Sequence, residues 1–192
     1  MAVEFELKYN ATQEAQAAIR ESLDTPATLY QMQTVYYDTP DRALAKRGIT
    51  LRRRLENQDS VCTLKAPAAV GRAEFELHRD TIQEAIPELC KLADLAELPS
   101  LLAGGVVPVC GARFTRQAWQ LTLVGAEAEL ALDSGILLGG GREVPLCEVE
   151  VELKSGATGP VVAYAAALAA KYGLVPEEKS KFARALALAK GE

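Results

Sequence analysis

Histidine and clustered cysteine are scarce in this chain. There is a single histidine, His78, and Cys62, Cys90, Cys110 and Cys147 form no Cys-x-x-Cys pair. Zinc sites are built mainly from closely spaced Cys and His residues, so no zinc site is expected. Each cysteine is interpreted as a small core or strand residue with a reduced thiol, which predicts a cytoplasmic protein.

Long apolar runs and an excess of positive charge are also lacking. No stretch of about 18 uncharged apolar residues occurs, so no membrane span is predicted. The chain enters a charged segment at once, which predicts no signal peptide. The formal net charge is −5, which argues against a nucleic-acid binder, because such proteins depend on Lys and Arg. A local basic site for a small anion is compatible with this balance.

Alternating charge is what the chain does have. In the segment 3–9, apolar residues alternate with Glu4, Glu6 and Lys8, a period of two that predicts a strand with one apolar and one charged face. The segment 148–154 repeats this pattern, with Glu at every second position up to a final Lys. Carboxylates and a lysine on one face suggest a site for metal ions and a polyanion.

The rest of the pattern predicts a single α+β domain over residues 1–192, with eight mostly antiparallel strands. The predicted strands are 2–9, 32–38, 49–56, 61–66, 72–79, 107–123, 126–133 and 146–154. Helices are predicted at 12–23, 160–172 and 177–189, and a helical segment 82–103 is expected to break at Pro87 and Pro99. A turn is predicted at 133–135 and a flexible loop at 139–141.

Like charges share a face on most of these strands. For any single strand, this pattern is explained by a sheet with one face exposed to solvent and the other packed on the core. When all strands are considered together, so many like charges on one face are unfavourable unless an opposite charge lies between them. A closed barrel with its charged faces inward resolves this. Carboxylates on one wall of the barrel would bind divalent cations, and Lys and Arg side chains on the other wall would bind a polyphosphate. The apolar faces of the strands would then point outward and be covered by helices. The grouped charges include Arg52 and Arg54; Arg72, Glu74 and Glu76; Glu127, Glu129 and Asp133; and Glu148, Glu150 and Glu152.

Several landmarks, in order along the whole chain, resemble the CYTH superfamily, also called triphosphate tunnel metalloenzymes. The wording is most similar to the bacterial inorganic triphosphatase branch. The landmarks are Glu4-x-Glu6-x-Lys8, Tyr36-Tyr37-Asp38-Thr39-Pro40-Asp41, Leu51-Arg52-x-Arg54, Thr63-Leu64-Lys65, Phe114-x-Arg116-x-x-Trp119, Ala131-Leu132-Asp133-x-Gly135, Cys147-Glu148-x-Glu150-x-Glu152-Leu153 and Ser180-Lys181-x-x-Arg184.

The resemblance implies an eight-stranded antiparallel closed barrel, a tunnel, with helices packed outside. It implies hydrolysis of inorganic triphosphate to pyrophosphate and phosphate with Mg²⁺ or Mn²⁺, and a small-molecule triphosphate or short polyphosphate as partner. Glu4, Glu6 and Lys8 are expected to be catalytic, with Glu6 nearest the attacking water. The implied phosphate ligands are Lys8, Arg52, Arg54, Lys65, Arg72, Arg116 and Lys181, and the implied metal ligands are Glu4, Glu6, Glu129, Asp133, Glu148 and Glu150.

Two alternatives stay open at this point. Similar tunnels host class IV adenylyl cyclase or thiamine triphosphatase activity, and a polyphosphate- or nucleotide-binding module without turnover would keep the cations. Relatives often form dimers, so a homodimer is possible. Members of the triphosphatase branch often carry a second, helical C-terminal domain, which is expected to be absent from this chain.

Overall fold

The computed structural model describes residues 5–69 and 71–191, which form a mixed α+β structure with one nine-stranded sheet. The strands are β1 (Glu6–Asn10), β2 (Thr28–Asp38), β3 (Thr50–Glu56), β4 (Asp59–Pro67), β5 (Arg72–His78), β6 (Val107–Leu123), β7 (Ala126–Gly139), β8 (Arg142–Gly156) and β9 (Val175–Pro176). The helices are α1 (Gln13–Glu21), α2 (Ala43–Lys46), α3 (Ile82–Ala93), α4 (Leu98–Leu102), α5 (Thr158–Tyr172) and α6 (Lys181–Lys190).

The sheet is antiparallel throughout, in the order β5-β4-β3-β2-β6-β7-β8-β1-β9. The predicted closed barrel differs from this ladder, because the described residues contain no pairing that joins β5 to the opposite edge. The short β9 instead pairs with β1 on the side away from β8, opposite Tyr9 and Asn10. The sheet is nevertheless strongly curled, since one cavity is lined by side chains from all eight long strands.

The convex face of the sheet carries two apolar cores beneath helices. Tyr9 and Val151 from β1 and β8 pack with Ile19 of α1 and Val161 of α5. At the other end of the sheet, side chains of β3 and β4 pack with α2, α3 and α4. Alternation along a strand sends the neighbouring residues to the opposite face, so the charged side chains of β1 and β8 point into the curl. The prediction that the charged faces of these strands point inward is thereby confirmed.

Helix α6 departs from the prediction that the helices pack outside. Its Ala185 is buried with Phe114, Leu137 and Leu146, which lie on the concave face of β6, β7 and β8. Its first residue, Lys181, places Nζ 5.3 Å from the centre of the Phe114 ring. The short apolar stretch on the concave face needs cover from water, and α6 supplies that cover from inside the curl.

Two chain breaks predicted from the sequence were wrong, and the last helix begins at Lys181 rather than at residue 177. The predicted turn at 133–135 lies inside β7, where a Cβ on Gly135 would come within 2.1 Å of the carbonyl oxygen of Arg113, so this glycine permits close strand approach. The predicted break at Pro87 is absent, and α3 runs through it. Pro87 and Gln83 are both exposed, so water can satisfy the carbonyl that loses its helical partner.

Other elements agree with the sequence. Helix α1 begins close to the predicted residue 12, where Thr12 caps it with Oγ1 accepting from the Ala15 amide at 3.1 Å. The segment 139–141 forms the β7–β8 hairpin connection, with Gly140 and Gly141 at positive φ. Within the described ranges, no helix is long and apolar enough to cross a membrane.

Candidate active site

The concave face of the sheet surrounds a cavity of about 370 Å³. Its lining includes eight Lys or Arg residues and seven Glu residues, so the opposite charges nearly balance. The cations are Lys8, Arg52, Arg54, Lys65, Arg72, Arg116, Lys154 and Lys181, and the carboxylates are Glu6, Glu56, Glu74, Glu76, Glu129, Glu150 and Glu152.

A cationic wall forms where β3 and β4 pair. Arg52 lies opposite Thr63, and Lys65 lies opposite Glu74 of β5. Arg52 Nη2 is 3.5 Å from Glu74 Oε1, and Lys65 Nζ is 3.2 Å from the same oxygen. These distances exceed the 2.7–2.9 Å or so of well-formed charged hydrogen bonds. The wall is therefore held by loose ion pairs.

Arg54 and Arg52 crowd each other within this wall. Burial lowers the pKa of the Arg54 guanidinium, and the neighbouring charges of Arg52 and Arg116 lower it further. Arg52 Nε is buried and finds no hydrogen-bond partner among the described residues. A buried donor without an acceptor is costly, as are like charges packed together. An anion placed between these guanidinium groups would relieve both costs.

A carboxylate wall lies across the cavity on β7, β8 and β1. Strand register places Glu129 beside Glu152, and Glu152 beside Glu6. Glu6 Oε1 is 3.3 Å from Lys8 Nζ, and Lys154 Nζ is 2.7 Å from Glu152 Oε2. On this wall Lys8 and Lys154 therefore each pair with a glutamate two residues away on the same strand.

Deeper in the fold, Asp133, Glu148 and Glu150 form a buried carboxylate trio. One oxygen atom from each lies within 4.8 Å of the others. Lys181 Nζ sits among them, 2.9 Å from Asp133 Oδ2, 2.6 Å from Glu150 Oε1 and in contact with Glu148 Oε2. The first residue of α6 thus supplies a cation to three carboxylates of β7 and β8.

Two arginines complete this buried ionic network. Arg116 donates two hydrogen bonds of 2.7 Å to the Asp133 carboxylate and also contacts Glu150. Arg184, one turn along α6, donates to Glu148 Oε1. On the other side of the sheet, Gln16 Nε2 donates to the backbone carbonyls of Asp133 and Glu148 at 3.0 and 2.8 Å. The trio is consequently fixed from both faces.

The network sets opposite pKa directions for two members of the trio. Burial raises the pKa of Glu148, and the charge of Lys181 offsets this only in part. Burial also disfavours ionised Glu150, but the charges of Lys181 and Arg116 outweigh it and hold the pKa of Glu150 well below its usual range. The same carboxylates raise the pKa of Lys181 against the effect of burial. Lys181 is therefore charged, and Glu150 is ionised at neutral pH.

The donor chemistry of the site fits a hard divalent cation, since carboxylate oxygens are the ligands that Mg²⁺ and Mn²⁺ favour. Glu148 Oε2 is buried without a hydrogen bond of acceptable geometry, although Lys181 Nζ touches it. The trio is nevertheless occupied by an ammonium group. The wall carboxylates Glu6, Glu129 and Glu152 instead face the cavity, where a hydrated cation has room.

Most of the residues singled out in the sequence meet in this cavity, but not all. Asp133 and Glu148 are fully buried beside it and are not among its lining residues. Arg72 lines the cavity, but its Nη2 donates to the carbonyls of Gly48 and Lys65 at 2.7 and 3.1 Å. Glu4 lies outside the described residues. The residues brought to the lining are Glu6, Lys8, Arg52, Arg54, Lys65, Arg72, Arg116, Glu129, Glu150 and Lys181.

Glu152 and Lys154 also line the cavity, although neither is among the metal or phosphate ligands that the family resemblance implies. They share the strand parity of Glu148 and Glu150, which was the available signal. That signal did not show how far the cavity extends along β8.

The structure is thus of the class in which an antiparallel sheet curls around a cavity lined by Lys, Arg and Glu side chains. The family described as the CYTH domain matches residues 2–186. The chain therefore belongs to the CYTH domain family.

A curated relative is the inorganic triphosphatase of Haemophilus influenzae, 34% identical over 126 residues. The matched part covers 63% of this chain and 35% of that relative, so the chain corresponds to about a third of the relative's length.

Solved structures share the fold. HpAC1 from Hippeastrum, described as an adenylyl cyclase candidate with a dominant triphosphatase activity, superposes with a TM-score of 0.67 at 18% identity. That match covers 99% of this chain and 97% of the Hippeastrum chain. PH1819 from Pyrococcus horikoshii superposes with a TM-score of 0.63 at 20% identity, over 98% of this chain and 99% of its own.

Proposed function

We propose that this chain hydrolyses inorganic triphosphate to pyrophosphate and phosphate inside the curled sheet, with Mg²⁺ or Mn²⁺ as cofactor. The cationic wall is the observation that carries the proposal, because Arg52 and Arg54 crowd each other and Arg52 Nε lacks an acceptor among the described residues. Membership of the CYTH family and the similarity to a Haemophilus inorganic triphosphatase support the choice of substrate.

The cationic wall would bind and orient the phosphate chain. Arg52 and Arg54 can each present two N–H donors to a phosphate, and Lys65 and Lys8 add movable point charges. When the chain enters, the loose pairs of Arg52 and Lys65 with Glu74 can be exchanged for shorter bonds to phosphate oxygens. Because the guanidinium groups are preorganised by the strands, little reorganisation is needed as charge moves in the transition state.

The carboxylate wall would hold the divalent cation and the attacking water. Glu6, Glu129 and Glu152 offer the accessible oxygens, and the family expectation adds Glu4. Glu150 also lines the cavity, but it is buried and paired with Lys181 and Arg116. A bound Mg²⁺ or Mn²⁺ supplies neutralisation of phosphate charge and a more acidic water. Glu6 would orient the attacking water and accept its proton, and Lys8, 3.3 Å away, would hold the Glu6 side chain in position. Asp133 and Glu148 would act behind this wall by fixing Lys181 and Arg116.

Three further properties belong to the same proposal. Residues 1–192 would form a single triphosphate tunnel domain, whose walls complete the enclosure although the described residues show no pairing between β5 and the opposite edge of the sheet. The protein would act in the cytoplasm on a small-molecule triphosphate or short polyphosphate. Association as a homodimer is compatible with this proposed function.

A substrate panel tests this function. The protein is incubated with Mg²⁺ or Mn²⁺ and with triphosphate, ATP or thiamine triphosphate, and phosphate, pyrophosphate and cyclic AMP are measured. We expect equal amounts of phosphate and pyrophosphate from triphosphate and slower reaction of the organic substrates. Cyclic AMP without free phosphate would instead indicate a cyclase, and tight polyphosphate binding without turnover would indicate a binding module.

A matched pair of variants links the activity to the cavity. Arg54→Gln removes a cation from the wall, whereas Arg113→Gln removes an exposed arginine that pairs with Glu143 at 3.1 Å outside the cavity. We expect Arg54→Gln to lose most activity and Arg113→Gln to keep it. Equal activity in the two variants would place the reaction elsewhere.

A further inference from the structure

A row of carboxylates crosses three neighbouring strands on one wall of the cavity. Glu129 of β7 lies opposite Glu152 of β8, and Glu152 lies opposite Glu6 of β1. Directly opposed residues of antiparallel strands have Cβ atoms about 4.5–5.5 Å apart, and like charges in such pairs destabilise the sheet. All three residues line the cavity. The row therefore concentrates negative charge that needs a cation beside it.

The chain itself supplies a cation to this row, the ammonium group of Lys154. Lys154 Nζ donates a hydrogen bond of 2.7 Å to Glu152 Oε2 and lies 3.7 Å from Glu129 Oε1. The other oxygen of Glu129 accepts a hydrogen bond of 2.8 Å from Gln120 Nε2. The ammonium group thus contacts carboxylates of both β7 and β8, and it reduces the repulsion between them.

An irregularity in the sheet places Lys154 at this point. In the ladder between β7 and β8, Glu127 lies opposite Ser155. The next residue of β7, Ala128, lies opposite Leu153, so Lys154 is an extra residue of β8 in this ladder. A bulge of this kind twists the strand and redirects a side chain, and bulges are frequent beside active sites. The position of the ammonium group is therefore built into the backbone of β8.

Lys154 is held much less firmly than Lys181, the lysine of the buried carboxylate trio. The Lys181 side chain is 8% exposed and contacts three buried carboxylates. The Lys154 side chain is 37% exposed, and a half-exposed ion pair of this kind contributes little to stability. Its flexible stem can carry the charge into solvent without disturbing the core. The Lys154 ammonium group can therefore be displaced, whereas that of Lys181 is fixed.

We propose that Lys154 competes with the divalent cation for the carboxylates of Glu129 and Glu152, and so sets the metal affinity of the cavity. Mg²⁺ or Mn²⁺ bound by the same oxygens displaces the ammonium group toward solvent. Metal binding then includes the loss of an ion pair and the repulsion between two positive charges, and both weaken it. This inference rests on the proposed function, which assigns the metal to the carboxylate wall, and it adds a residue that opposes metal binding.

Metal affinity in the absence of triphosphate tests this competition. Mn²⁺ is titrated into wild type, Lys154→Met and Lys154→Arg, free Mn²⁺ is measured by electron paramagnetic resonance, and Mg²⁺ affinity is obtained by displacement of Mn²⁺. We expect Lys154→Met to bind Mn²⁺ about 3- to 10-fold more tightly than wild type. Lys154→Arg keeps the positive charge and should bind Mn²⁺ much as wild type does. Equal or weaker binding by Lys154→Met would overturn the inference.

Lys91→Met is the matched control, because Lys91 is an exposed lysine of α3 that is not among the residues lining the cavity. It changes the net charge equally and should leave Mn²⁺ affinity unchanged. A gain as large as that of Lys154→Met would show that net charge sets the affinity, and would reject the role of Lys154.

Glu152→Gln tests whether the metal and the lysine share the same carboxylates. This change should weaken Mn²⁺ binding in the wild type and in the Lys154→Met background, because it removes a shared ligand. Unchanged affinity in both backgrounds would contradict the competition. Triphosphate hydrolysis by the wild type separates the two levels of failure. Continued phosphate release alongside any of these contrary results would reject the role of Lys154 alone, whereas absence of hydrolysis would reject the proposed function.

Discussion

Replacing Lys181 with methionine removes the ammonium group from the centre of the buried carboxylate trio while keeping most of the side-chain volume. Three buried carboxylates would then face two guanidinium groups, those of Arg116 and Arg184. Breaking a buried ion pair by deleting one partner costs about 3–5 kcal/mol, because the other charge is left uncompensated. We expect a loss of that size in the free energy of unfolding near pH 8.

The pH dependence gives the prediction its sign. In the wild type the pKa of folded Glu150 is lowered, so its stabilising contribution is present above the unfolded pKa and is lost as the pH falls through the folded pKa. In Lys181→Met, burial and mutual repulsion should raise the pKa values of Glu148 and Glu150 above their unfolded values, so that variant loses stability as the pH rises. The stability difference between the two proteins should therefore narrow between about pH 8 and pH 5.

Urea unfolding in EDTA at several pH values measures this difference. Lys154→Met is the matched control, because Lys154 is a cavity lysine with 37% side-chain exposure and should change stability by less than about 1 kcal/mol. If Lys181→Met were as stable as wild type at pH 8 in EDTA, the trio would not depend on the lysine. If Mg²⁺ rather than acid restored the variant, the trio would be able to hold a metal in place of the ammonium group.

Three further outcomes follow from the site and the core. Glu6→Gln should abolish turnover, measured as phosphate release, while circular dichroism and thermal unfolding remain close to wild type, because the residue lies on the cavity wall. Arg54→Gln should reduce kcat/KM for triphosphate by about 10- to 150-fold, the equivalent of one charged hydrogen bond of about 1.5–3 kcal/mol. Gly139→Ala should lower the free energy of unfolding by about 1–3 kcal/mol, because its Cβ overlaps α6, whereas Gly104→Ala, with nothing within 4 Å of the added Cβ, should change it little.

Each of these outcomes has a clear contradiction. Full activity of Glu6→Gln would remove that carboxylate from the mechanism. An unchanged kcat/KM in Arg54→Gln would mean that the cationic wall does not hold the phosphates. Equal stability of the two glycine variants would mean that α6 is not seated tightly on β7.

The charged strand faces were predictable from the sequence because strand alternation is local. The parity of Glu6, Lys8, Arg52 and Arg54 follows from neighbouring residues alone, and the structure places all four on one cavity. The turn predicted at 133–135 failed for a non-local reason. Gly135 is required by its close approach to β6, not by a change of chain direction.

The sequence alone determined the strand pattern, the inward sense of the charged faces and the family, because all three depend on residue types at fixed spacing along the chain. Only the tertiary structure decided that the described part of β5 does not pair with the opposite edge of the sheet, that α6 lies inside the curl, and that Lys181 fills the buried carboxylate trio. These three features depend on which segments, distant in the sequence, pair with a given strand edge, pack on a given sheet face or neutralise a given charge. The spacing of residues along the chain does not determine these contacts, because the energies of burial and ion pairing depend on which segments come together in the folded protein.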